Sequence, residues 1–310
     1  MTAHLHGFGA FLPETVVANA ELADRLGCTA EWIEKVSGIR ERRWAGTDTT
    51  VADMGVAAAE DCLRKVGIPA NTLGMLIVAS GSGARGFPGP AAEIAARLGM
   101  DSAPALDLPI ASAGSLFGMA LAMQMAETHG DVLVVGAEKM SSLIQTEPLD
   151  PNTAILFGDG AGAALVSGRK GRWRLLDAVL HTDGQYRGDL ALDQTGQLRM
   201  NGLTVILQAA RKIPASITEV LERQNISAQQ ISAFLLHQAN FNLLTRVAKS
   251  LGVSPDKLFS NVQRYGNTSS ASMLIAASEW FEGNPDPGPI VFSAFGAGFH
   301  WGAIVGDSRT

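Results

Sequence analysis

The chain reads as a mixed α/β protein in which one structural arrangement occurs twice. Three observations predict this. Short apolar runs of strand length alternate with segments of helical spacing from one end to the other. Each half also places a polar residue at the turn into a helix that is apolar on nearly every side, a pattern expected of helices buried inside a protein. Finally, 310 residues with 46% hydrophobic and 17% charged content suit two domains of ordinary size or one large α/β unit. The division falls into residues 1–170 and 171–310. Identity between the halves is low, so this is a structural duplication and not a short-period solenoid.

Taken in order, residues 5–12 read as a strand ended by Pro13, and its glycines lack the dinucleotide fingerprint. Residues 19–26 form a short helix, and Thr29 caps a second over 31–36. The basic run 38–43 (GIRERR) is turn-like, either a solvated face or an anion contact. A helix over 49–66 stops at Gly67, a strand follows at 73–79, and residues 81–90 form a Gly/Pro-rich loop carrying the large apolar Phe87. After a helix at 91–98, the run 103–108 reads as a buried strand broken by Pro109, and a helix runs from Ser112 to Gly130. A strand at 131–136 precedes the glycine-rich corner 156–166, whose glycines suit close backbone packing better than phosphate binding because a strand follows. The second half holds a strand at 174–182, a long helix at 201–224 containing Pro214, a strand at 231–236, a helix at 241–251, a helix at 273–281, and strands at 289–295 and 303–305.

Composition excludes several classes. A net charge of −6 argues against a nucleic-acid surface, and no apolar run is long enough to span a membrane. The N-terminal stretch has no basic flank before an apolar core, which is unlike a signal peptide. Two cysteines make neither a disulfide framework nor a metal pair; Cys62 reads as core and Cys28 as a loop residue, so a reducing cytoplasm is the expected compartment.

Three residues then stand at comparable places: Ser112 before one buried helix, His237 at the end of a buried strand, and Asn267 before the second buried helix. In open α/β sheets ligands gather at the carboxyl ends of strands. Each has a plain alternative: serine is a preferred helix cap, a strand-end histidine can be structural, and an asparagine after Gly266 suits a turn. The surroundings of Ser112 are not those of an esterase elbow, since Ile110 stands where a glycine is needed.

The chain resembles β-ketoacyl-[acyl-carrier-protein] synthase III, condensing enzymes of the thiolase superfamily. The resemblance spans nearly the whole chain and rests on GFGAFLPETVVANAEL (7–22), EWIEKVSGIRERR (31–43), ASAGSLFG (111–118), ILFGDGAGAALV (155–166), RMNG (199–202), LLHQAN (235–240), RYGNTSSAS (264–272) and AFGAGFHWG (294–302). It implies a five-layered αβαβα thiolase-like fold with internal duplication, a homodimer, acyl-coenzyme A and malonyl-acyl carrier protein as substrates, and no cofactor or metal. It also implies a triad of nucleophile, His237 and Asn267 in which Ser112 stands where the family has cysteine, a change that is either natural or engineered. A serine hydroxyl needs a general base, and His237 is the candidate at a site position. The same resemblance assigns oxyanion donors to the backbone of Ser112 and of the Gly296–Gly298 loop, the floor of the acyl pocket to Phe87 across the dimer, and adenine stacking to Trp32. Arginines that assist coenzyme A binding elsewhere in the family are replaced by Val36 and Pro151, and Asn242 replaces a basic docking residue, which leaves Arg211, Lys212, Arg246 and Lys249 as carrier-protein docking candidates. Two other readings remain: a serine-type starter-unit acyltransferase, and a non-condensing partner subunit, against which the intact His237 and Asn267 argue.

Overall fold

A computed structural model describes residues 3–83, 86–145, 149–283 and 288–308. Of the loop expected at 81–90, residues 84 and 85 lie outside this set. Strand β1 (Ala3–Phe11) is followed by the short β2 (Val16–Ala18) and α1 (Asn19–Leu26), which stops at Gly27 in the left-handed region. Helix α2 (Ala30–Ser37) opens on Thr29, whose hydroxyl accepts from the Trp32 N–H at 3.1 Å. Strand β3 (Glu41–Arg43) then pairs with β2, so the basic run is not a solvated turn. Arg42 is fully buried and donates to the carbonyls of Val17 and Ile155 and to Asn19 Oδ1; burial lowers its pKa to about 10.

Helix α3 (Val51–Val66) starts with a reciprocal capping box between Thr50 and Asp53. Next come β4 (Met75–Ala79), α4 (Pro90–Arg97), β5 (Ala105–Leu108), α5 (Gly114–His129) and β6 (Asp131–Lys139). Two short helices, α6 (Ser141–Ile144) and α7 (Pro151–Ala154), lead to β7 (Asp159–Ser167). The second half continues with β8 (Trp173–Thr182), a ribbon of β9 (Leu190–Leu192) and β10 (Leu198–Met200), then α8 (Gly202–Arg223), β11 (Ala233–Leu236), α9 (Phe241–Leu251) and α10 (Val262–Tyr265). Helix α11 (Ser272–Gly283), β12 (Ile290–Gly296) and β13 (His300–Asp307) close it.

The described residues form a nine-stranded sheet in the order β11-β12-β13-β8-β1-β7-β6-β4-β5, joined across its middle by a short β1–β8 ladder from Ala3–Leu175 to Leu5–Trp173. Three packed cores make the layers. One face of the β4, β6 and β7 region packs on α3 and α4 through residues such as Leu76, Leu133 and Ile94. One face of β11, β12 and β13 packs on α8 and α9 through Phe234, Val291, Ile217 and Val247. The remaining faces of both regions close on α5 and α11 through Ile77, Val134, Leu235, Phe292, Leu116 and Leu274. The result is a five-layered αβαβα arrangement with the two most apolar helices in the middle.

The glycine-rich corner serves packing, as expected: a Cβ on Gly162 would lie 2.6 Å from the Leu274 side chain of α11. Cys62 is buried, which pushes its thiol up to about 12. Strand β5 departs from expectation. It is the edge of the sheet and not a buried strand, with Leu106 40% exposed. No helix among the described residues is long and apolar enough to cross a membrane.

Candidate active site

After β5, Pro109 breaks the extended chain and the turn that follows places Ser112 at φ 63°, a left-handed backbone that a non-glycine residue adopts only under constraint. Helix α5 begins two residues later, and Ala113 occupies its cap position with no side-chain cap bond. Ser112 is therefore not a helix cap. It is buried, its N–H donates to Ser269 Oγ at 2.9 Å, and its hydroxyl lies 3.4 Å from the same oxygen. The opposite wall is Gly296 at the end of β12: a Cβ there would lie 2.9 Å from Ser112 Cβ and 2.2 Å from the Ala111 carbonyl oxygen. Only glycine permits this approach. Gly298, at φ 132°, backs onto the His300 ring.

His237 is the first residue beyond β11, and its N–H donates to the Ser293 carbonyl of the parallel neighbour β12. Its Nδ1 is 2.6 Å from Ser272 Oγ. Burial lowers its pKa to about 4, and a backbone hydrogen bond with Ser269 works in the opposite direction. The ring is thus neutral at pH 7. Among the described residues it makes no hydrogen bond to Ser112, whose hydroxyl partner is Ser269. The sign of the pH effect follows. The unfolded chain binds more protons than the folded chain between the folded value of about 4 and the ordinary 6.5, so stability falls as pH drops through that window. The expected loss from this residue approaches about 3 kcal/mol near pH 4. Thermal melts from pH 7 to 4 on the wild type and on His237→Gln check this; an equally steep fall in the variant would assign the effect elsewhere.

Asn267 enters α11 through a 3-10 turn. Its Oδ1 accepts from the Ser269 N–H at 2.9 Å, which leaves Nδ2 as the donor of its amide. Ser269, which the sequence reading did not single out, therefore touches the whole constellation: its hydroxyl meets Ser112, its N–H meets Asn267 and its backbone meets His237. It is fully buried at φ 48°, a second strained non-glycine position. The serine run within YGNTSSAS was the available signal.

A second unanticipated residue supports the site from behind. The buried Glu138, near the end of β6, accepts hydrogen bonds from Gly81 N–H, the N–H and hydroxyl of Ser82, the Ser80 hydroxyl and Ser270 N–H. One carboxylate thus ties the start of the 81–90 segment to the turn that carries Ser269.

Ser112 and Ser269 open into a cavity of about 720 Å³ whose walls include Leu143, Phe157, Leu190 and Leu198, with Gly298 and His300 at one side and Phe87 at its edge. Phe87 is 99% exposed, so it fills no core of its own chain. Trp32 is exposed on α2 and does not line the cavity. The carboxamides of Asn240 and Asn242 bind the Val36 carbonyl, and Asn242 also binds that of Lys35, so Asn242 docks α9 onto α2. Arg211, Arg246 and Lys249 are exposed on α8 and α9. Lys212 is not part of that surface: it is buried, paired with Asp183 at 3.1 Å and held 3.7 Å from the Trp301 ring centroid. Apolar atoms and an ion pair together account for its burial. Among the described residues no cluster of three or more His, Cys, Asp or Glu is placed to hold a metal ion.

The layered αβαβα arrangement is that of the thiolase fold, with a polar residue at the entry of each central helix and a buried histidine tied to the start of α11 through Ser272. The 3-oxoacyl-[acyl-carrier-protein (ACP)] synthase III model matches residues 106–184, and its C-terminal counterpart matches residues 221–307. The β-ketoacyl-[acyl-carrier-protein] synthase III of Staphylococcus aureus (strain Newman) is 35% identical, over 98% of both chains. The crystal structure of 3-oxoacyl-[acyl-carrier-protein] synthase III from Aquifex aeolicus VF5 superposes with a TM-score of 0.94 at 32% identity, covering 98% of this chain and 99% of the other. The priming β-ketosynthase from the R1128 polyketide pathway follows at 0.90 and 30%, covering 98% and 95%. The chain belongs to the 3-oxoacyl-[acyl-carrier-protein] synthase III family, whose members are acyl-transferring condensing enzymes.

Proposed function

We propose that the protein starts a fatty-acid or polyketide chain by decarboxylative condensation. An acyl group passes from coenzyme A to residue 112, and coenzyme A leaves as the thiol. Malonyl-acyl carrier protein then enters. Its C–CO₂ bond breaks, carbon dioxide departs, and the electron pair forms an enolate whose oxygen is held by Asn267 Nδ2–H and the His237 ring. The enolate carbon attacks the acyl carbonyl. The tetrahedral oxyanion is held by the N–H of Ser112 and one from the 296–298 loop, replacing the Ser269 hydroxyl that now accepts from Ser112. Collapse expels the Ser112 oxygen, which takes a proton from solvent water. No cofactor is required.

The observation that carries this reading is the commitment of Asn267 Oδ1 to Ser269, a residue that also meets Ser112 and the neutral His237 ring, which leaves Asn267 Nδ2 as a donor. Residues 1–170 then supply the nucleophile position, and 171–310 supply the groups that stabilise the enolate. A homodimer is supported by the open edge strand β5 and by Phe87, an exposed aromatic at the cavity rim that a second copy would cover. Exposed Trp32 serves coenzyme A, Arg211, Arg246 and Lys249 serve the acidic carrier protein, and the compartment is the cytoplasm.

The test is incubation with acetyl-, propionyl- and longer acyl-coenzyme A plus malonyl-acyl carrier protein, read by mass spectrometry of the carrier protein. A β-ketoacyl product that disappears in Asn267→Ala supports condensation. An acyl-carrier product without loss of carbon dioxide would identify a starter-unit acyltransferase instead, and no reaction with any donor would favour a partner subunit.

A further inference from the structure

The hydrogen bonds around His237 decide which ring nitrogen bears the proton, and the deciding group is a serine on α11. Ser272 is buried, and its oxygen accepts the Gln238 N–H at 3.0 Å while lying 2.6 Å from His237 Nδ1. A hydroxyl has one proton to give. If Nδ1 carried hydrogen, the Ser272 oxygen would accept twice, and its own O–H would need another acceptor. None exists among the hydrogen bonds of the described residues, and Ser272 is only 2% exposed, so that proton would be stranded away from water. In the alternative arrangement every group is satisfied: Gln238 N–H donates to Ser272 Oγ, Ser272 O–H donates to Nδ1, and Nε2 carries the ring hydrogen.

We propose that Ser272 is a positioning residue that locks His237 in its Nε2–H form, making the ring a hydrogen-bond donor to the substrate and not a base for Ser112. This rests on the reading of His237 as a group that stabilises the malonyl enolate. It also explains why a neutral, deeply buried histidine suits the site. A fixed Nε2–H donor works at every pH above the ring's titration, whereas a base would need a free lone pair on the same nitrogen. The order of the chain enforces the arrangement: Gln238 follows His237 directly, so the N–H that orients Ser272 belongs to the peptide next to the ring it serves.

The experiment is ¹⁵N-histidine NMR of the whole protein at pH 7, with the His237 signals assigned by His237→Gln. The expected spectrum shows protonated Nε2 and unprotonated Nδ1. In Ser272→Ala the ring is expected to become a tautomer mixture, with malonyl-thioester decarboxylation falling about 10- to 100-fold, while Ser272→Thr, which keeps the hydroxyl, restores both. Acylation of residue 112 by acyl-coenzyme A should change less than threefold in Ser272→Ala, a split that general loosening of the site would not give. An Nδ1–H ring in the wild type, or a tautomer unmoved by Ser272→Ala, overturns the proposal even if either variant folds poorly. The spectrum needs no turnover. An Nε2–H ring that depends on Ser272 in a protein that fails to condense would sustain the tautomer lock while removing the proposed reaction.

Discussion

Ser112→Cys is expected to raise the rate at which acyl-coenzyme A acylates residue 112 by about 10²- to 10³-fold at pH 7, equivalent to about 3–4 kcal/mol of barrier. This follows from the proposed role of residue 112 as the nucleophile. Its backbone is held at φ 63°, its side chain faces the cavity, and α5 starts two residues on. A helix N-terminus lowers a thiol's pKa enough to supply thiolate near neutral pH, whereas an alcohol stays protonated and needs a base. The partner of the Ser112 hydroxyl is another hydroxyl at 3.4 Å. Intact-protein mass against time, with Ser112→Ala as the blank, measures the ratio. Equal rates for serine and cysteine would mean that the Ser112 hydroxyl has a base that the folded structure does not display.

Glu138→Ala is expected to be the most destabilising single truncation near the site. The carboxylate satisfies three backbone N–H groups and two hydroxyls in a fully buried position. Removing it leaves those donors without an acceptor, at about 1–3 kcal/mol for each that water does not reach, so a total near 4 kcal/mol and a fall in Tm of about 6 °C are expected. Glu138→Gln, similar in shape but with one oxygen replaced by a donor, should lose about half as much. Scanning calorimetry checks both, and a Tm within about 2 °C of wild type for the alanine variant would refute the role. Because the carboxylate joins residues 80–82 to Ser270, both turns should loosen together.

Local punctuation made much of the fold legible. The bounds 19–26 and 241–251 agree with α1 and α9 because Gly27 and Gly252 stop those helices in the left-handed region, where the chain's own signals are strongest. Strand β5 was legible as a strand but not as an edge, since an apolar run does not say how many neighbours it has. The burial of Arg42, within a run read as a solvated face or an anion contact, and of Lys212, a docking candidate, was not legible either. Their partners, Ile155 in one case and Asp183 with Trp301 in the other, are remote in sequence. The places of Ser112, His237 and Asn267 could be read from strand and helix ends. Ser272 and Glu138 could not, and Ser269 only as one of a serine run, because their roles include hydrogen bonds between segments more than 30 residues apart.

The middle layer sets the tempo of the site. The turns bearing Ser112 and Ser269 lie at the entrances of α5 and α11, both packed between the two faces of the sheet, so disturbing them means opening the most protected core of the chain. Such openings draw on the global stability and are rare and slow. The outer side of the cavity, where exposed Phe87 and the half-exposed ribbon of β9 and β10 stand, is not part of that core. If the cavity takes the acyl chain as proposed, its entry and escape would belong to the wall and the alignment of the reacting atoms to the core. Under that reading, substitutions in the wall would change which chains are admitted while leaving the buried turns in place.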